Sequence, residues 1–254
     1  MTTAKKKILV TGASSGIGRA TAAALAKQGH SVMMAARRIE RLQSAASELG
    51  STVQIAELDV RDPASIAAFT STHAGWLKDL DVLVNNAGLA LGREGVQESD
   101  PEDFATVIDT NVTGLLRVTR ALLPNMIARK RGQIVNLGSV AARTPYAGGT
   151  VYCASKAAVH MITDSLRIDL GGTGIRVCTI SPGRVAETEF SEVRFRGDKD
   201  KASQVYEGYR IMTSADVANA IAWVIQQPEH VNVQELVILP TDQPSATALV
   251  PLKT

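Results

Sequence analysis

The fold of this chain is decided near its start, by the stretch Ile8-Leu9-Val10-Thr11-Gly12-Ala13-Ser14-Ser15-Gly16-Ile17-Gly18. The first four residues form a short apolar run typical of a strand, and a helical pattern follows from Ile17 to Lys27. Glycines at such a turn allow a tight bend, close approach of a pyrophosphate to the backbone, and close packing of helix on strand. A glycine-rich turn alone is a weak signal, but its place between strand and helix predicts a βαβ unit that binds a dinucleotide.

The rest of the chain repeats this alternation of strand and helix. Strands are predicted at residues 8–11, 31–36, 53–58, 81–84, 133–137, 175–181 and 235–239. Helices are predicted at residues 17–27, 40–49, 62–73, 101–129 (with a kink near Asn111 or Pro124), 151–170 and 214–226, and residues 182–201 are predicted to be irregular. Almost continuously apolar strands that alternate with helices predict an α/β fold. We therefore expect a single-domain Rossmann-type doubly wound parallel sheet of about seven strands over residues 1–254, with helices on both faces.

Composition excludes several classes of protein. The chain has 254 residues, 45% of them hydrophobic and 20% charged, with a formal net charge of +2, which is typical of a water-soluble globular protein. Basic residues are spread along the chain, so neither a nucleic-acid nor a membrane partner is predicted. The two cysteines, Cys153 and Cys178, have no metal-ligand spacing, so we expect no metal site, no disulfide and a cytoplasmic location.

The end of the second predicted strand indicates which dinucleotide binds. An NAD site usually carries an acidic residue there, about 20 residues after the glycine-rich turn, to hold the ribose 2′-hydroxyl. This strand ends instead in Ala36-Arg37-Arg38. Two guanidinium groups suit a 2′-phosphate, although solvated arginines on a loop are the alternative. We predict NADP(H) rather than NAD(H), with Asp59 and Val60 near the adenine and with Asn86-Ala87-Gly88 under the adenosine ribose.

The chemistry is predicted from Tyr152 and Lys156, which stand four residues apart in a predicted helix. Side chains with this spacing share one helical face, so the phenol and the ammonium become neighbours. A nearby cation favours the phenolate, and we expect it to lower the pKa of Tyr152 toward the range where proton transfer is efficient. Ser139, just after the fifth predicted strand, could offer its hydroxyl to the same substrate oxygen. The alternative for the tyrosine and lysine, taken alone, is an ordinary amphipathic helix surface.

Together these motifs resemble the short-chain dehydrogenase/reductase family. The resemblance covers nearly the whole chain, in order, through Thr11-Gly-Ala-Ser-Ser-Gly-Ile-Gly18, Asn85-Asn-Ala-Gly88, Asn111, Ser139, Tyr152-x-x-x-Lys156 and Pro182-Gly183. It implies that the cofactor lies against Gly12, Ala13, Ser14, Ser15, Gly16, Ile17, Gly18, Arg37, Arg38, Asp59, Val60, Asn86, Ala87, Gly88, Tyr152, Lys156, Pro182, Gly183, Val185 and Thr188.

The resemblance also implies the catalytic roles. Tyr152 would be the general acid/base, and Lys156 would lower its pKa and hold the nicotinamide ribose. Ser139 would hydrogen-bond the substrate oxygen as charge develops on it. Asn111 would orient a water that links Lys156 to solvent, although a kinked helix satisfied by a side-chain amide explains this residue too. Cys153, directly after the tyrosine, departs from the small residue that is common there, and it could make the site sensitive to thiol reagents.

The substrate loop, about residues 184–213, narrows the subgroup. The segment 188–198 resembles NADP-dependent 3-hydroxy acid dehydrogenases, which act on serine, allo-threonine and 3-hydroxypropionate-type substrates. Such substrates are anions and need a fixed cation. Arg184, Arg194 and Arg196 are candidates, and we favour Arg194 for a carboxylate or sulfonate, with a surface arginine on a mobile loop as the alternative. Gly197, Gly208 and alternating charge are consistent with a lid over bound ligand.

Other functions are compatible with the same motifs. A sulfoacetaldehyde-type or general carbonyl reductase would use the same chemistry on another substrate. A non-catalytic NADP-sensing protein is a more remote alternative, because such a protein would be expected to lose Tyr152 or Lys156. The chain end at 238–247 differs from the glycine-containing last turn of related β-ketoacyl-carrier reductases. Small residues at positions 154, 155, 157 and 158, together with family habit, predict a homotetramer or dimer.

Overall fold

The computed structural model describes residues 4–50 and 52–252, so both ends of the predicted domain, residues 1 and 254, lie outside the described residues. The described chain forms a sheet of seven parallel strands. The strands are β1 (Lys7–Thr11), β2 (Ser31–Ala36), β3 (Val53–Glu57), β4 (Val82–Asn85), β5 (Gly132–Leu137), β6 (Ile175–Pro182) and β7 (Glu235–Ile238).

Helices connect the strands and cover the sheet. They are α1 (Gly16–Lys27), α2 (Ile39–Ser47), α3 (Pro63–Thr72), α4 (Ala74–Leu77), α5 (Pro101–Ile108), α6 (Leu115–Ala128), α7 (Thr150–Asp169), α8 (Phe190–Arg194), α9 (Lys199–Gln204) and α10 (Ser214–Gln226). A π-helical turn, Asp109–Gly114, joins α5 to α6. Within residues 4–50 and 52–252, no helix has both the length and the apolar character needed to cross a bilayer.

The sheet order is β3-β2-β1-β4-β5-β6-β7, with every pair parallel. The order therefore changes direction between β1 and β4, which are paired in the middle of the sheet. Ligands of open α/β sheets bind at this switch point, outside the carboxyl ends of the strands. The predicted fold class is confirmed, and the topology brings the loops after β1, β2, β4, β5 and β6 to one edge.

The core lies on both faces of the sheet because alternate strand residues point to opposite sides. On one face, Ile8 and Val10 of β1 pack in a buried cluster with residues of α1, α2 and α10. On the other, Leu9 belongs to a cluster with residues of α3, α4 and α6. Each fully buried large aliphatic side chain contributes about 1.5–3 kcal/mol. This double cover explains why the strands lack the polar alternation of a sheet exposed on one side.

The structure locates one predicted helix break more precisely and shows that one predicted irregular region is wrong. The expected break in the helix over 101–129 is present as the π-helical turn that contains Asn111, while Pro124 lies inside α6. The prediction that residues 182–201 are irregular is wrong, because α8 and α9 lie there, and α4 was not predicted. Helices of four to six residues are stable only through tertiary packing, so hydrophobic periodicity does not detect them.

Candidate active site

A cavity of about 470 Å³ lies along the carboxyl edge of the sheet. The glycine-rich turn and the Arg37-Arg38 pair line one part of it, and Ser139, Tyr152 and Lys156 line another. Most residues predicted for the site line this one cavity. The exceptions are Ala13, Gly18 and Asn111, and also Arg196 among the candidate anion-binding residues. The further predicted residues on its wall are Gly12, Ser14, Ser15, Gly16, Ile17, Asp59, Val60, Asn86, Ala87, Gly88, Pro182, Gly183, Val185, Thr188, Arg184 and Arg194.

The glycine-rich turn is shaped by close contact with the loop after β4. Gly12 has φ +63°, and a Cβ there would lie 2.7 Å from the Ala87 Cα. A Cβ on Gly18 would lie 2.4 Å from the Asn86 Nδ2, which donates hydrogen bonds to the carbonyl oxygens of Thr11 (2.9 Å) and Gly12 (3.1 Å). Gly18 is therefore required for packing beneath the turn, and these hydrogen bonds hold the turn against the loop after β4.

Arg37 and Arg38 follow β2 and line the cavity, but Arg38 is already hydrogen-bonded to other side chains of the protein. Arg37 is exposed, whereas the Arg38 guanidinium donates to the Ser14 hydroxyl (3.1 Å) and to the Glu189 carboxylate (2.7 Å). Glu189 also pairs with Arg41 and accepts a hydrogen bond from the Ser15 hydroxyl (3.2 Å). Burial opposes ionisation of this carboxyl, but Arg38 and Arg41 hold the pKa of Glu189 below its usual value. Sequence reasoning missed Glu189, since only the fold brings α8 to the glycine-rich turn.

Asp59, at the end of β3, faces the same part of the cavity. It forms an ion pair with Arg61 (2.9 Å), which also lines the cavity. Burial alone would raise the pKa of Asp59, but hydrogen bonds from Arg61 keep it below its usual value. The carboxylate is therefore charged at neutral pH and can accept hydrogen bonds from a ligand.

Tyr152 and Lys156 lie close together on α7, but their pKa values differ from the sequence expectation. The Lys156 Nζ lies 5.9 Å from the centroid of the Tyr152 ring and donates a 2.7 Å hydrogen bond to the Leu137 carbonyl. Burial raises the pKa of Tyr152 and outweighs the lowering by hydrogen bonding to Ser139 and by the charge of Arg194. Burial therefore outweighs the lowering of the Tyr152 pKa that the sequence led us to expect.

Lys156 itself is only 6% exposed. Burial lowers the pKa of its ammonium to about 8, so the group is still largely protonated at neutral pH. The phenol is protonated under the same conditions. Together they form a buried pair in which the tyrosine can donate a proton and the lysine supplies positive charge.

Ser139 follows β5 and begins a short 3-10 turn, Val140–Ala142. Its hydroxyl oxygen accepts a hydrogen bond from the Ala141 main-chain N–H (3.1 Å). The same side chain lies close enough to the Tyr152 phenol to lower its pKa. The two hydroxyls therefore converge on one point of the cavity, as required of groups that contact a single substrate oxygen.

Asn111 lies in the π-helical turn and is 2% exposed. Its Oδ1 accepts from the Leu89 N–H (2.9 Å), and its Nδ2 donates to the Leu89 carbonyl (2.8 Å) and the Ser155 hydroxyl (3.0 Å). The side chain therefore fixes the loop after β4. It does not line the cavity, and the structure brings it to the site only through Leu89, Ser155 and the neighbouring Gly88.

Arg194, at the end of α8, is 8% exposed and lines the cavity. It donates to the Gly92 carbonyl (2.9 Å), the Tyr146 hydroxyl (2.7 Å) and the Gly148 carbonyl (2.9 Å). Its guanidinium carbon lies 6.0 Å from the centroid of the Tyr152 ring. The alternative, a surface arginine on a mobile loop, does not describe this residue, since burial and three hydrogen bonds fix it beside the Tyr152 phenol.

Of the other two candidate cations, Arg184 lies at the cavity and Arg196 does not. Arg196 is exposed and pairs with Asp103 (2.6 Å) outside the cavity. Arg184 lines the cavity, and its backbone N–H donates to the Gln243 side chain (2.8 Å). Sequence reasoning missed Arg93, which also lines the cavity. Its position shortly after the predicted fourth strand, at the ligand-binding edge, was the available signal.

Known proteins and one protein family are similar to this chain over most of its length. The family model described as short chain dehydrogenase matches residues 6–199. An NADP-dependent 3-hydroxy acid dehydrogenase of Escherichia coli (strain K12) is 48% identical over 237 residues, which cover 93% of this chain and 95% of that protein. A serine 3-dehydrogenase of Rhizobium radiobacter is 44% identical over 236 residues, 93% of this chain and 94% of that protein.

Among solved structures, the closed form of a serine dehydrogenase complexed with NADP⁺ matches with a TM-score of 0.92 and 46% identity. That match covers 97% of this chain and 100% of the other. The crystal structure of serine dehydrogenase from Escherichia coli matches with a TM-score of 0.81 and 42% identity, covering 93% of this chain and 99% of that one.

Proposed function

This chain belongs to the short-chain dehydrogenase/reductase family, and on that premise we propose that it transfers a hydride between NADP(H) and small 3-hydroxy acids or β-oxo acids. It is an NADP-dependent oxidoreductase that acts on CH–OH groups. One observation carries the finer proposal: a buried arginine, Arg194, lies 6.0 Å from the Tyr152 ring and lines the same cavity as the phenol.

The residues of the cavity fit NADP(H). The N-terminus of α1, directly after the glycine-rich turn, can receive the pyrophosphate, because free N–H groups and the positive end of the helix dipole meet there. Ser14, Arg37 and Arg38 would hold the 2′-phosphate, and Lys156 would hold the nicotinamide ribose. Val60 and Asn86 line the cavity between these groups. When bound, the cofactor donates or accepts the hydride, and the protein supplies position and polarity.

The proton is moved by the side chains of α7 and β5. In reduction, Tyr152 would donate its proton to the carbonyl oxygen, and Ser139 would hydrogen-bond that oxygen as negative charge develops. In oxidation, the phenolate must form first. Burial disfavours this state, so the lysine charge and the bound cofactor have to stabilise it. Asn111 would contribute by positioning the loop after β4, and a water relay from Lys156 remains a prediction.

The substrate class is proposed from the charge beside the phenol. Within the described residues, Arg194 has no carboxylate within salt-bridge distance, so its charge is available to a ligand. A planar guanidinium matches a carboxylate, and serine, allo-threonine and 3-hydroxypropionate each place a carboxylate near a reacting hydroxyl. The names of the relatives, 3-hydroxy acid and serine dehydrogenases, support the same class.

A sulfonate is the second candidate anion, because the same guanidinium suits a sulfoacetaldehyde-type substrate. A general carbonyl reductase would not need the buried cation at all. A non-catalytic NADP-sensing protein is the remote alternative, and the convergence of the Ser139 and Tyr152 hydroxyls argues against it. These alternatives predict different turnover of uncharged ketones.

The test is a turnover panel with NADP⁺ and NADPH over serine, allo-threonine, 3-hydroxypropionate, malonic semialdehyde, sulfoacetaldehyde and uncharged ketones. We expect turnover of the carboxylates and a loss of about 10-fold to 100-fold in kcat/KM in Arg194→Met, the range for a hydrogen bond to a charged group. Arg196→Met, which removes an exposed cation from outside the cavity, is the matched control. Activity on uncharged ketones alone would reject the anion pocket.

Three further proposals concern the whole protein. We infer that residues 1–254 are a single NADP-binding domain, supported by the one continuous sheet of the described residues. A cytoplasmic location remains a prediction, consistent with two free, buried cysteines. A homotetramer or dimer is supported by exposed apolar side chains on α7, Met161 (64% exposed) and Ile168 (78% exposed).

A further inference from the structure

Among the described residues, most arginines that lack a carboxylate partner line the cavity. Eleven of the seventeen arginines have a carboxylate oxygen within 4.0 Å, which leaves six without one among residues 4–50 and 52–252. Four of those six line the cavity: Arg37, Arg93, Arg184 and Arg194. Arg37 follows β2 at the predicted phosphate site. The other three have no assigned partner except the single substrate carboxylate proposed for Arg194.

We infer that Arg93 and Arg184 form a second anion subsite, so that the preferred substrates are 3-hydroxy or 3-oxo acids that carry a second anionic group. This inference rests on the proposed function, since it extends the substrate class of the same cavity. The first carboxylate would contact Arg194 beside the reacting carbon. The second would lie farther from that carbon.

Distances to two tyrosine rings show that Arg194 lies nearer than Arg93 to the Tyr152 phenol. The Arg194 guanidinium carbon lies 6.0 Å from the centroid of the Tyr152 ring and 5.2 Å from that of Tyr146. The Arg93 guanidinium carbon lies 5.9 Å from the same Tyr146 centroid. Tyr146 therefore contacts both arginines, and Arg194 contacts both tyrosines. The order from the reacting phenol is Tyr152, Arg194, Tyr146, Arg93.

The backbone around Arg93 is fixed, although its side chain is exposed. The preceding residue, Gly92, donates its N–H to the Arg194 carbonyl (3.0 Å) and accepts from the Arg194 guanidinium (2.9 Å). A Cβ on Gly148 would lie 1.9 Å from the Arg93 carbonyl oxygen, so the two backbones are in close contact. The carboxylate of Glu94 accepts from the main-chain N–H of Arg93 (2.8 Å) and does not pair with its guanidinium. The charge of Arg93 is thus held at the cavity without a protein counter-ion.

Arg184 is held at the cavity by hydrogen bonds to two later segments of the chain. Its Nη1 donates to the Val205 carbonyl (2.6 Å), and its backbone N–H donates to Gln243 (2.8 Å). Burial, followed by the positive charge of Arg93, lowers the pKa of the Arg184 guanidinium. Two neighbouring cations in a partly desolvated cavity repel each other, and an anion between them removes that cost and adds charge-assisted hydrogen bonds. Both arginines line the cavity, and neither has a carboxylate within 4.0 Å among the described residues.

The test compares 3-hydroxyglutarate, which has two carboxylates, with 3-hydroxybutyrate, which has one, as substrates with NADP⁺. We expect the wild-type enzyme to prefer the dianion by about 10-fold or more in kcat/KM, the effect of one charge-assisted hydrogen bond. Arg93→Met should remove most of this preference, because kcat/KM should fall about 10-fold more for 3-hydroxyglutarate than for 3-hydroxybutyrate. Arg120→Met, at an exposed unpaired arginine outside the cavity, is the matched control.

The outcomes separate this inference from the proposed function. Turnover of 3-hydroxybutyrate with no preference for 3-hydroxyglutarate, or a preference that persists in Arg93→Met, would overturn the second subsite and leave the proposed function standing. Turnover of neither acid, nor of any acid in the wider panel, would contradict the proposed function. In that case calorimetric binding of glutarate and butyrate to the NADP⁺-bound protein decides on the subsite: glutarate must bind more tightly, and only when Arg93 is present.

Discussion

At the scale of single residues, Lys156 is a charged side chain in the buried interior of the fold. It is buried at 6% exposure, and its ammonium is satisfied by a backbone carbonyl instead of a carboxylate. Burying an ammonium disfavours its charged form, and the lowering of its pKa from 10.5 to about 8 corresponds to roughly 3 kcal/mol. The proposed mechanism accounts for this cost, because it requires a positive charge beside Tyr152.

We predict a pH signature of this cost in the cofactor-free protein. The pKa of Lys156 is lower in the folded state than in the unfolded one, so the unfolded chain binds more protons between pH 8 and 10.5. Its contribution to the free energy of unfolding therefore rises with pH in that window. In Lys156→Met, the rise should be smaller by roughly 1–3 kcal/mol in urea titrations. Lys199→Met, at an exposed position, should match the wild type, and parallel profiles for all three proteins would contradict the burial argument.

The cofactor preference is also decided at single residues. Arg37 is exposed beside the turn and, among the described residues, has no carboxylate partner, so its charge is available to a 2′-phosphate. Arg37→Asp should raise the Michaelis constant for NADP⁺ by about 10-fold to 100-fold, because it replaces a charge-assisted hydrogen bond by repulsion. The constant for NAD⁺ should change far less. Arg120→Asp is the control, and equal effects on both cofactors would reject the phosphate clamp.

At the scale of elements, the sequence predicted the parts whose signals are local. Turn glycines, apolar strands and the Tyr152-Lys156 spacing are patterns within short stretches of sequence. The sheet and helix α7 could therefore be predicted from the sequence directly. The break at Asn111 was expected, but its cause was not, because the hydrogen bonds that hold the amide come from Leu89 and Ser155, 22 and 44 residues away. Short helices such as α8 depend on such distant contacts, and so do the partners of Glu189 and Arg194. The pKa of Tyr152 was predicted in the wrong direction for the same reason, since burial is a property of the fold.

The ion pairs of Glu189 with Arg38 and Arg41 predict how cofactor binding is tuned. Glu189 precedes α8 and places a negative charge among Ser15, Arg38 and Arg41, where the cofactor phosphates are expected to bind. Its pairs are partly exposed and contribute little to stability. Glu189→Gln should lower the dissociation constant of NADP⁺ several-fold and that of NAD⁺ less, because one repulsive charge is removed.

The matched control for this variant is Glu192→Gln, on α8 itself but away from the cavity wall. Dissociation constants from fluorescence titration at constant ionic strength provide the measurement. Weaker binding of NADP⁺ to Glu189→Gln would contradict the repulsion argument and would instead indicate that the carboxylate holds α8 closed over the cofactor.

At the scale of the whole molecule, the sheet order explains why residues from six distant segments meet at one cavity. The change of direction between β1 and β4 opens a crevice, and the loops after the six strands β1 to β6 converge on it. The same architecture leaves α7 on the outside, where Ala154, Ala157, Met161 and Ile168 are exposed. Met161 and Ile168 are two turns apart and so share one face of the helix.

We predict that this face of α7 is covered by a second copy of the chain. The double variant Met161→Glu with Ile168→Glu should form a smaller species than the wild type in light scattering at micromolar concentration, since charges replace apolar contact. Val96→Glu, at an exposed apolar position on a loop, should leave the assembly unchanged. A wild-type protein that is monomeric under these conditions would contradict the proposed oligomer.

The central claim is that the Tyr152 phenol transfers the proton that accompanies hydride transfer. The most direct test is single-turnover formation of NADPH from NADP⁺ and the best 3-hydroxy acid, comparing the wild-type protein with Tyr152→Phe after showing that both bind NADP⁺ equally well. We predict that the variant is slower by about 10²-fold to 10⁴-fold, the usual contribution of general acid–base catalysis. Hydride transfer at the wild-type rate in the phenylalanine variant would contradict the mechanism.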